Sequence, residues 1–290
     1  MTLCWAAEVV IYACIPDGVS EFATVCVTSL FGTMLMFVPF WRRVLAAVRK
    51  GGWRFLLAVL WVAVLSAAYN SHFIAGLKFF DVIEGAFGTN MTVITMPFVM
   101  LAMRRHVTRG TWLSVAIVST GILLVLVPSL CAANTAGLVV LMVGCVLCSL
   151  VTILLADLVR KHDPIAVAVV REGLTAAIAF ATWFLHDRRL FAGLPVSKSL
   201  FAAWACYTYF VVVLSLVLNV FAMRRVSAAN ATIIYSLQVI FTLLLGLALP
   251  AGIVEHFELT PRVLVGAGLV VVGSLVEIIG IGGKENETDE

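Results

Sequence analysis

Charge is what this sequence lacks most. Of its 290 residues, 12% are Asp, Glu, Lys or Arg, 62% are hydrophobic, and the mean hydropathy is +1.10. A soluble domain averages roughly a quarter charged residues and must cover its outside with polar groups. Nineteen basic and sixteen acidic side chains cannot do that here, which excludes a soluble enzyme, a nucleic-acid binder and a disordered chain. Segments of about ten residues with alternating hydropathy, the mark of a transmembrane barrel, are missing too. Apolar runs of twenty residues or more leave only helices. There is no phosphate-cradling glycine loop, so direct ATP hydrolysis is excluded. Met1 carries no basic flank and no small-residue cleavage site follows, so a cleaved signal peptide is not expected. Seven cysteines are present. Cys145-Val-Leu-Cys148 has redox or metal spacing, yet no second pair completes a tetrahedral site, and the pair reads as packing with no metal or cofactor.

What is present are ten apolar segments, at about 1–15, 19–41, 53–76, 82–103, 110–130, 135–157, 164–185, 199–222, 227–249 and 261–282. Twenty residues at 1.5 Å each cross a hydrocarbon core of about 30 Å. Nine segments reach that length; the first falls short, which points to local bilayer thinning or to residues missing at its start. With the amino terminus placed inside, thirteen of the nineteen Lys and Arg residues fall on the cytoplasmic side and five outside, while Arg171 lies within a segment. That asymmetry makes both termini cytoplasmic. Residues 283–290 then form an acidic cytoplasmic tail, whose Asn286-Glu-Thr sequon has no meaning on that side.

Internal repetition carries more information than any motif. The third segment ends in Gly76-Leu77-Lys78, followed by Asp81-Val82 and a helix bearing Asn90. The eighth ends in Ala222-Met223-Arg224, followed by Ser227-Ala228 and a helix bearing Asn230 and Gln238. Thr108 to Gly121, opening the fifth segment, reads in register with Thr260 to Gly273, opening the tenth. The expected fold is therefore all-α and integral to the membrane, with ten transmembrane helices in two five-helix repeats, 1–130 and 135–282. Five is odd, so the repeats are inverted. Such halves can exchange shapes and open a midplane site to either side alternately, which is the design of a secondary transporter.

These residues resemble the EamA branch of the drug/metabolite transporter superfamily, over essentially the whole chain. Thr108–Gly121 and Thr260–Gly273 look like the opening of the last helix of each EamA repeat. Gly76-Leu77-Lys78 and Ala222-Met223-Arg224 look like the step that closes each third helix. Pro97 matches a proline often found in the fourth helix, and Asp163-Pro164 to Arg171 resembles the second helix of a repeat, arginine included. The first repeat has Thr28 where the second has Arg171, and Trp5-Ala6-Ala7-Glu8 stands where the family often has Trp-Gly and a small polar residue. The resemblance implies export of a small polar or amphipathic metabolite, such as an amino acid, across a bacterial cytoplasmic membrane. Flipping of a lipid-linked or nucleotide-linked sugar is the alternative, with a membrane-embedded enzyme behind it; an enzyme would need His, Asp or Ser groups clustered at one depth.

A charge in hydrocarbon is costly and marks function by default. Glu8 falls near the middle of the first segment, where it either recognises a cation or carries a coupling proton; close to the headgroups it would do neither. Glu84 is a second coupling candidate, or a hydrated group at the outer mouth. Arg171 either holds a substrate carboxylate or forms a structural ion pair, and Glu172 reads as structural because adjacent helical positions point about 100° apart. Neutral candidates for the lining are Asn70, Asn90, Tyr235 and Gln238, the last two sharing a helix face. Tyr12 leads the aromatic candidates, with Trp5, Trp61, Tyr69, Trp204, Tyr207 and Tyr209 also able to stack. Trp41, Trp53 and Trp112 read as interfacial anchors, and Asn219 as a helix–helix hydrogen bond. His72 reads as packing and Glu255-His256-Phe-Glu258 as a charged outer loop. Gly266, Gly273 and Gly280 make one smooth stripe, suited to contact within the bundle or with a second copy. The partners expected are a small-molecule substrate, the lipid bilayer and a coupling proton; no nucleic acid is expected, and a homodimer stays open.

Overall fold

Long apolar runs with internally satisfied backbones give helices and nothing else among the described residues. The computed structural model describes residues 2–16, 18–131, 135–186, 194, 197–248 and 259–279. Its elements are α1 (Thr2–Ala13), α2 (Glu21–Leu77), α3 (Val82–Thr89), α4 (Thr92–Ala102), α5 (Arg109–Cys131), α6 (Thr135–Lys161) and α7 (Pro164–His186). There follow α8 (Lys198–Tyr207), a π-helical turn (Thr208–Ser215), α9 (Leu216–Ala222), α10 (Ala228–Tyr235), α11 (Gln238–Ala248) and α12 (Pro261–Ile279). Eight stretches are long and apolar enough to cross a membrane, and α1 is a shorter apolar helix. Large apolar side chains such as Trp61, Phe201 and Leu247 cover the outside of the bundle, as lipid contact requires.

The 57 residues of α2 are too many for one crossing. Gly52, at φ 57° and ψ −153°, breaks the run; that conformation is essentially confined to glycine. The chain reverses there. Thr33 before the break lies against Gly173, while Thr175 donates to the carbonyl of Ala63 after it. Both limbs thus meet the same turn of α7. The break falls where the sequence places the boundary between the second and third segments, but helix extends into 42–52, expected to be loop.

The fourth and ninth segments are each interrupted. Eight residues of α3, a two-residue break at 90–91 and eleven residues of α4 are matched by eight of α10, a break at 236–237 and eleven of α11. Each pair opens on a side-chain cap, Asp81 accepting from the Glu84 amide and Ser227 from that of Asn230. The eighth segment holds the π turn, whose register the periodic apolar pattern does not announce.

Packing pairs the elements reciprocally. Helix α2 lies along α7, and α5 along α12. Helix α1 packs on α11 and on the π turn, while α6 packs on α4 and on α2. The α5–α12 crossing is close because glycines make it. A Cβ on Gly121 would sit 2.6 Å from the Gly266 carbonyl oxygen, and one on Gly273 would sit 3.0 Å from that of Ser114. The glycine stripe therefore faces its own bundle at Gly266 and Gly273; Gly280 lies outside the described residues. Arg43–Asp163 and Arg105–Asp157 ion pairs tie one end of the bundle, and Lys78–Glu21 the other. The tail at 283–290, the loop Arg188 and Arg189, and Glu255, His256 and Glu258 also lie outside the described residues.

Candidate functional site

A cavity of about 110 Å³ opens where α1, α2, α7, the π turn and the two interrupted helices meet. Spacing explains what α1 contributes. Trp5, Glu8 and Tyr12 are three and four residues apart, so one face of a short helix presents a carboxylate between two rings. The Glu8 carboxylate accepts from the Tyr207 hydroxyl at 3.1 Å, and the Tyr207 ring lies against Tyr12 at 4.9 Å between centroids. Trp5 donates from Nε1 to Ser215 Oγ at 3.0 Å and meets Tyr235 edge to face at 4.6 Å. Four of the five tyrosines, Tyr12, Tyr69, Tyr207 and Tyr235, line this one hollow.

The π turn places its own residues here. Widening the helix at Thr208–Ser215 brings Val211, Val212 and Ser215 to the cavity just after Tyr207. From the interrupted helices come Thr89, Asn90 and Thr92 on one side and Thr232, Tyr235 and Gln238 on the other. Asn90 donates to the Ala86 carbonyl at 2.7 Å and closes the last turn of α3. Gln238 reaches across to Thr89 Oγ1 at 3.0 Å, joining the two breaks directly. Tyr235 and Gln238 both line the cavity although the helix on which they were expected to share a face is broken between them. Asn219 accepts from the Tyr235 hydroxyl at 2.8 Å, a helix–helix hydrogen bond that is also part of the wall. Asn70 completes the expected lining.

Arg171 and Glu172 are 6% and 4% exposed, and both line the cavity. They pair with each other through Arg171 Nη2 and Glu172 Oε1. Adjacent helical positions diverge, but an arginine is long enough to fold back across that angle, and in the apolar interior its neighbour's carboxylate is the available counter-charge. Thr28, matched to Arg171 by position, lies on the same cavity from the first limb of α2.

Other expected residues are elsewhere. Glu84 sits in the first turn of α3, above the Asp81 cap, and does not line the cavity. An acid there suits the helix N-terminus. Asn230 occupies the matching turn of α10, accepting from Ser227 Oγ at 2.7 Å. His72 bonds the Ala68 carbonyl within its own helix. Trp61 and Tyr209 face outward, and Trp204 bonds Thr24 beyond the cavity wall. Cys145 directs its thiol at the carbonyls of Gly88 and Thr89, while Cys148 lines the cavity. No group of three metal-ligating side chains occurs among the described residues.

A second hollow of about 160 Å³ lies toward the Lys78–Glu21 end, between α1, α2 and the start of α3. Tyr12 is the one residue common to both linings.

Residues 135–278 match the EamA-like transporter family. The second half of the chain belongs to that family. EamA-like proteins are membrane transporters of the drug/metabolite superfamily, so the resemblance holds over that stretch, and with eight stretches apolar enough to cross a bilayer this is a multi-pass membrane protein. No curated protein matches the chain in sequence. A solved structure described only as "Crystal structure of protein" is similar with a TM-score of 0.73 at 14% identity, covering 98% of this chain and 95% of that one. At that identity the likeness speaks for the fold alone.

Proposed function

We propose that this EamA-like chain is a secondary transporter, built of ten transmembrane helices in two inverted repeats, 1–130 and 135–282. It carries a small polar or amphipathic metabolite through the central cavity by alternating access. One observation bears most of the weight: the cavity is walled by two helices interrupted at matching positions, one in each half, and by both members of the α1–α11 packing. Interrupted helices at corresponding places are the usual address of a substrate site in transporters of this kind.

The inversion has its own support. Aligning Thr108–Gly121 with Thr260–Gly273 maps the Gly121–Gly266 contact onto Gly273–Ser114, the second close contact of the same crossing. As α5 advances seven residues, α12 retreats seven. Two antiparallel helices meeting reciprocally have a twofold axis perpendicular to both, hence in the plane of the membrane. The exchange of partners between α1–α11 and α6–α4 follows the same relation.

In this reading both termini are cytoplasmic, net flux is outward across a bacterial inner membrane, and Glu8 is both the recognition and the coupling group. Proteoliposomes holding the purified chain and preloaded with an unlabelled amine or amino acid should take up the labelled compound in saturable counterflow. An imposed pH gradient should drive net movement. Chemical conversion of the solute without movement, or no movement of any member of such a panel, would refute the transport reading.

A further inference from the structure

We infer that the central cavity is a receptor for a protonated amine without a carboxylate, and that Glu172 sets this exclusion by holding Arg171. The inference rests on the transport reading above and narrows its substrate.

Charge decides the sign. The described cavity lining includes three formally charged side chains, Glu8, Arg171 and Glu172. Arg171 and Glu172 neutralise each other. None of the ion pairs among the described residues involves Glu8, whose carboxylate takes one hydrogen bond, from a neutral phenol. The lining therefore carries one uncompensated carboxylate in a place where unpaired charge is expensive. An occupant bearing one positive charge makes it neutral.

The walls agree with that sign. Trp5 and Tyr12 stand on either side of Glu8 on α1, Tyr207 contacts both Glu8 and Tyr12, and Tyr235 lies against Trp5. Ring faces attract an ammonium and do nothing for an anion. A carboxylate framed by aromatic rings is a cation receptor in chemical terms.

A carboxylate on the substrate would need Arg171. Displacing Glu172 to take it leaves a 4% exposed acid without a counter-charge in the apolar interior, and sharing the guanidinium sets a second carboxylate beside Glu172 in a lining that already carries the Glu8 charge. Arg171 Nε is buried and has no partner. It is one donor, suited to a neutral acceptor such as a hydroxyl or carbonyl oxygen. The ligand class is an amine carrying such an acceptor or a ring, rather than an amino acid.

The test uses three compounds with one ring, phenethylamine, phenylalanine and 3-phenylpropionate, titrated calorimetrically into the purified full-length protein. Phenethylamine should bind at least tenfold more tightly than either carboxylate-bearing compound. Glu8→Gln should weaken phenethylamine at least tenfold. Glu172→Gln should free Arg171 and improve 3-phenylpropionate at least tenfold, with a smaller change for the amine. Should Glu172→Gln not fold, the doubly neutral Arg171→Gln/Glu172→Gln variant should keep the preference for the amine. Equal or better binding of phenylalanine or 3-phenylpropionate to the unaltered protein, binding of none of the three, or loss of the amine preference in the doubly neutral variant overturns the inference. Counterflow of the same compounds separates this from the transport reading: movement of phenylalanine but not phenethylamine would end the amine assignment and leave transport standing.

Discussion

Tyr207 links the charged group of the site to its aromatic wall. Its hydroxyl donates to Glu8 and its ring supports Tyr12. Removing only the hydroxyl separates the two roles. Tyr207→Phe should keep the protein folded and the ring contact intact, while the carboxylate loses its donor in an apolar setting. A hydrogen bond to a charged group contributes about 1.5–3 kcal/mol, so phenethylamine affinity should fall about tenfold or more by calorimetry. Unchanged affinity would mean that the Glu8 carboxylate does not depend on this contact. At this scale the sequence was legible wherever a polar group interrupts an apolar run. Glu8, Asn90 and Gln238 stand out for that reason. Tyr207 was visible as an aromatic able to stack, but nothing marked it as the donor to Glu8, because that contact spans 199 residues and has no local signature. Glu172, read as structural, is ion-paired and also lines the cavity, because direction along an ideal helix says nothing about a long neighbour folding back to meet it.

Elements show a different limit. The gap between the second and third segments was readable because basic residues and Gly51-Gly52 interrupt the apolar pattern, and Gly52 holds the reversal. A Cβ there would meet no neighbour, but φ of 57° and ψ of −153° are backbone angles that a residue with a side chain adopts only under strain. Gly52→Ala should therefore cost about 1–3 kcal/mol, seen as a lowered midpoint of thermal unfolding in detergent. No loss would mean that the limbs, not the glycine, fix the turn. The breaks at 90–91 and 236–237 were not readable. Asn90-Met91 and Ser236-Leu237 contain neither Gly nor Pro, and Pro97 lies inside α4 rather than at the break. What makes the breaks tolerable is tertiary: Asn90 satisfies the Ala86 carbonyl, Ser236 Oγ donates to that of Ile233, and Gln238 ties one break to Thr89 beside the other. A helix can stop inside an apolar bundle only where side chains replace the missing backbone partners, and such partners come from remote parts of the chain.

For the whole molecule, the proposed repeat rests on short motifs that recur in both halves and on interrupted helices with the same lengths on either side of the break. Paths to the cavity were not legible, because a path is a property of several packed elements at once. The second hollow lies end-on to the first, and Tyr12 alone belongs to both linings. Its ring, which rests against Tyr207, stands where the two linings meet. Beyond it, Lys78 donates to Glu21 and to the Val19 carbonyl, tying the segment after α1 to the end of α2 at the far side of the second hollow. In the proposed orientation this end faces the exterior. Cys148 lines the central cavity and serves as a reporter once the other cysteines are replaced. In intact cells an impermeant thiol reagent should modify Cys148 slowly in the parent protein and several-fold faster in Tyr12→Ala, with phenethylamine protecting it in both. The Lys78→Ala change should add to the rate, because ring and ion pair close the same path in series. Cys148 labelling that is insensitive to both substitutions would place the exterior route elsewhere in the bundle.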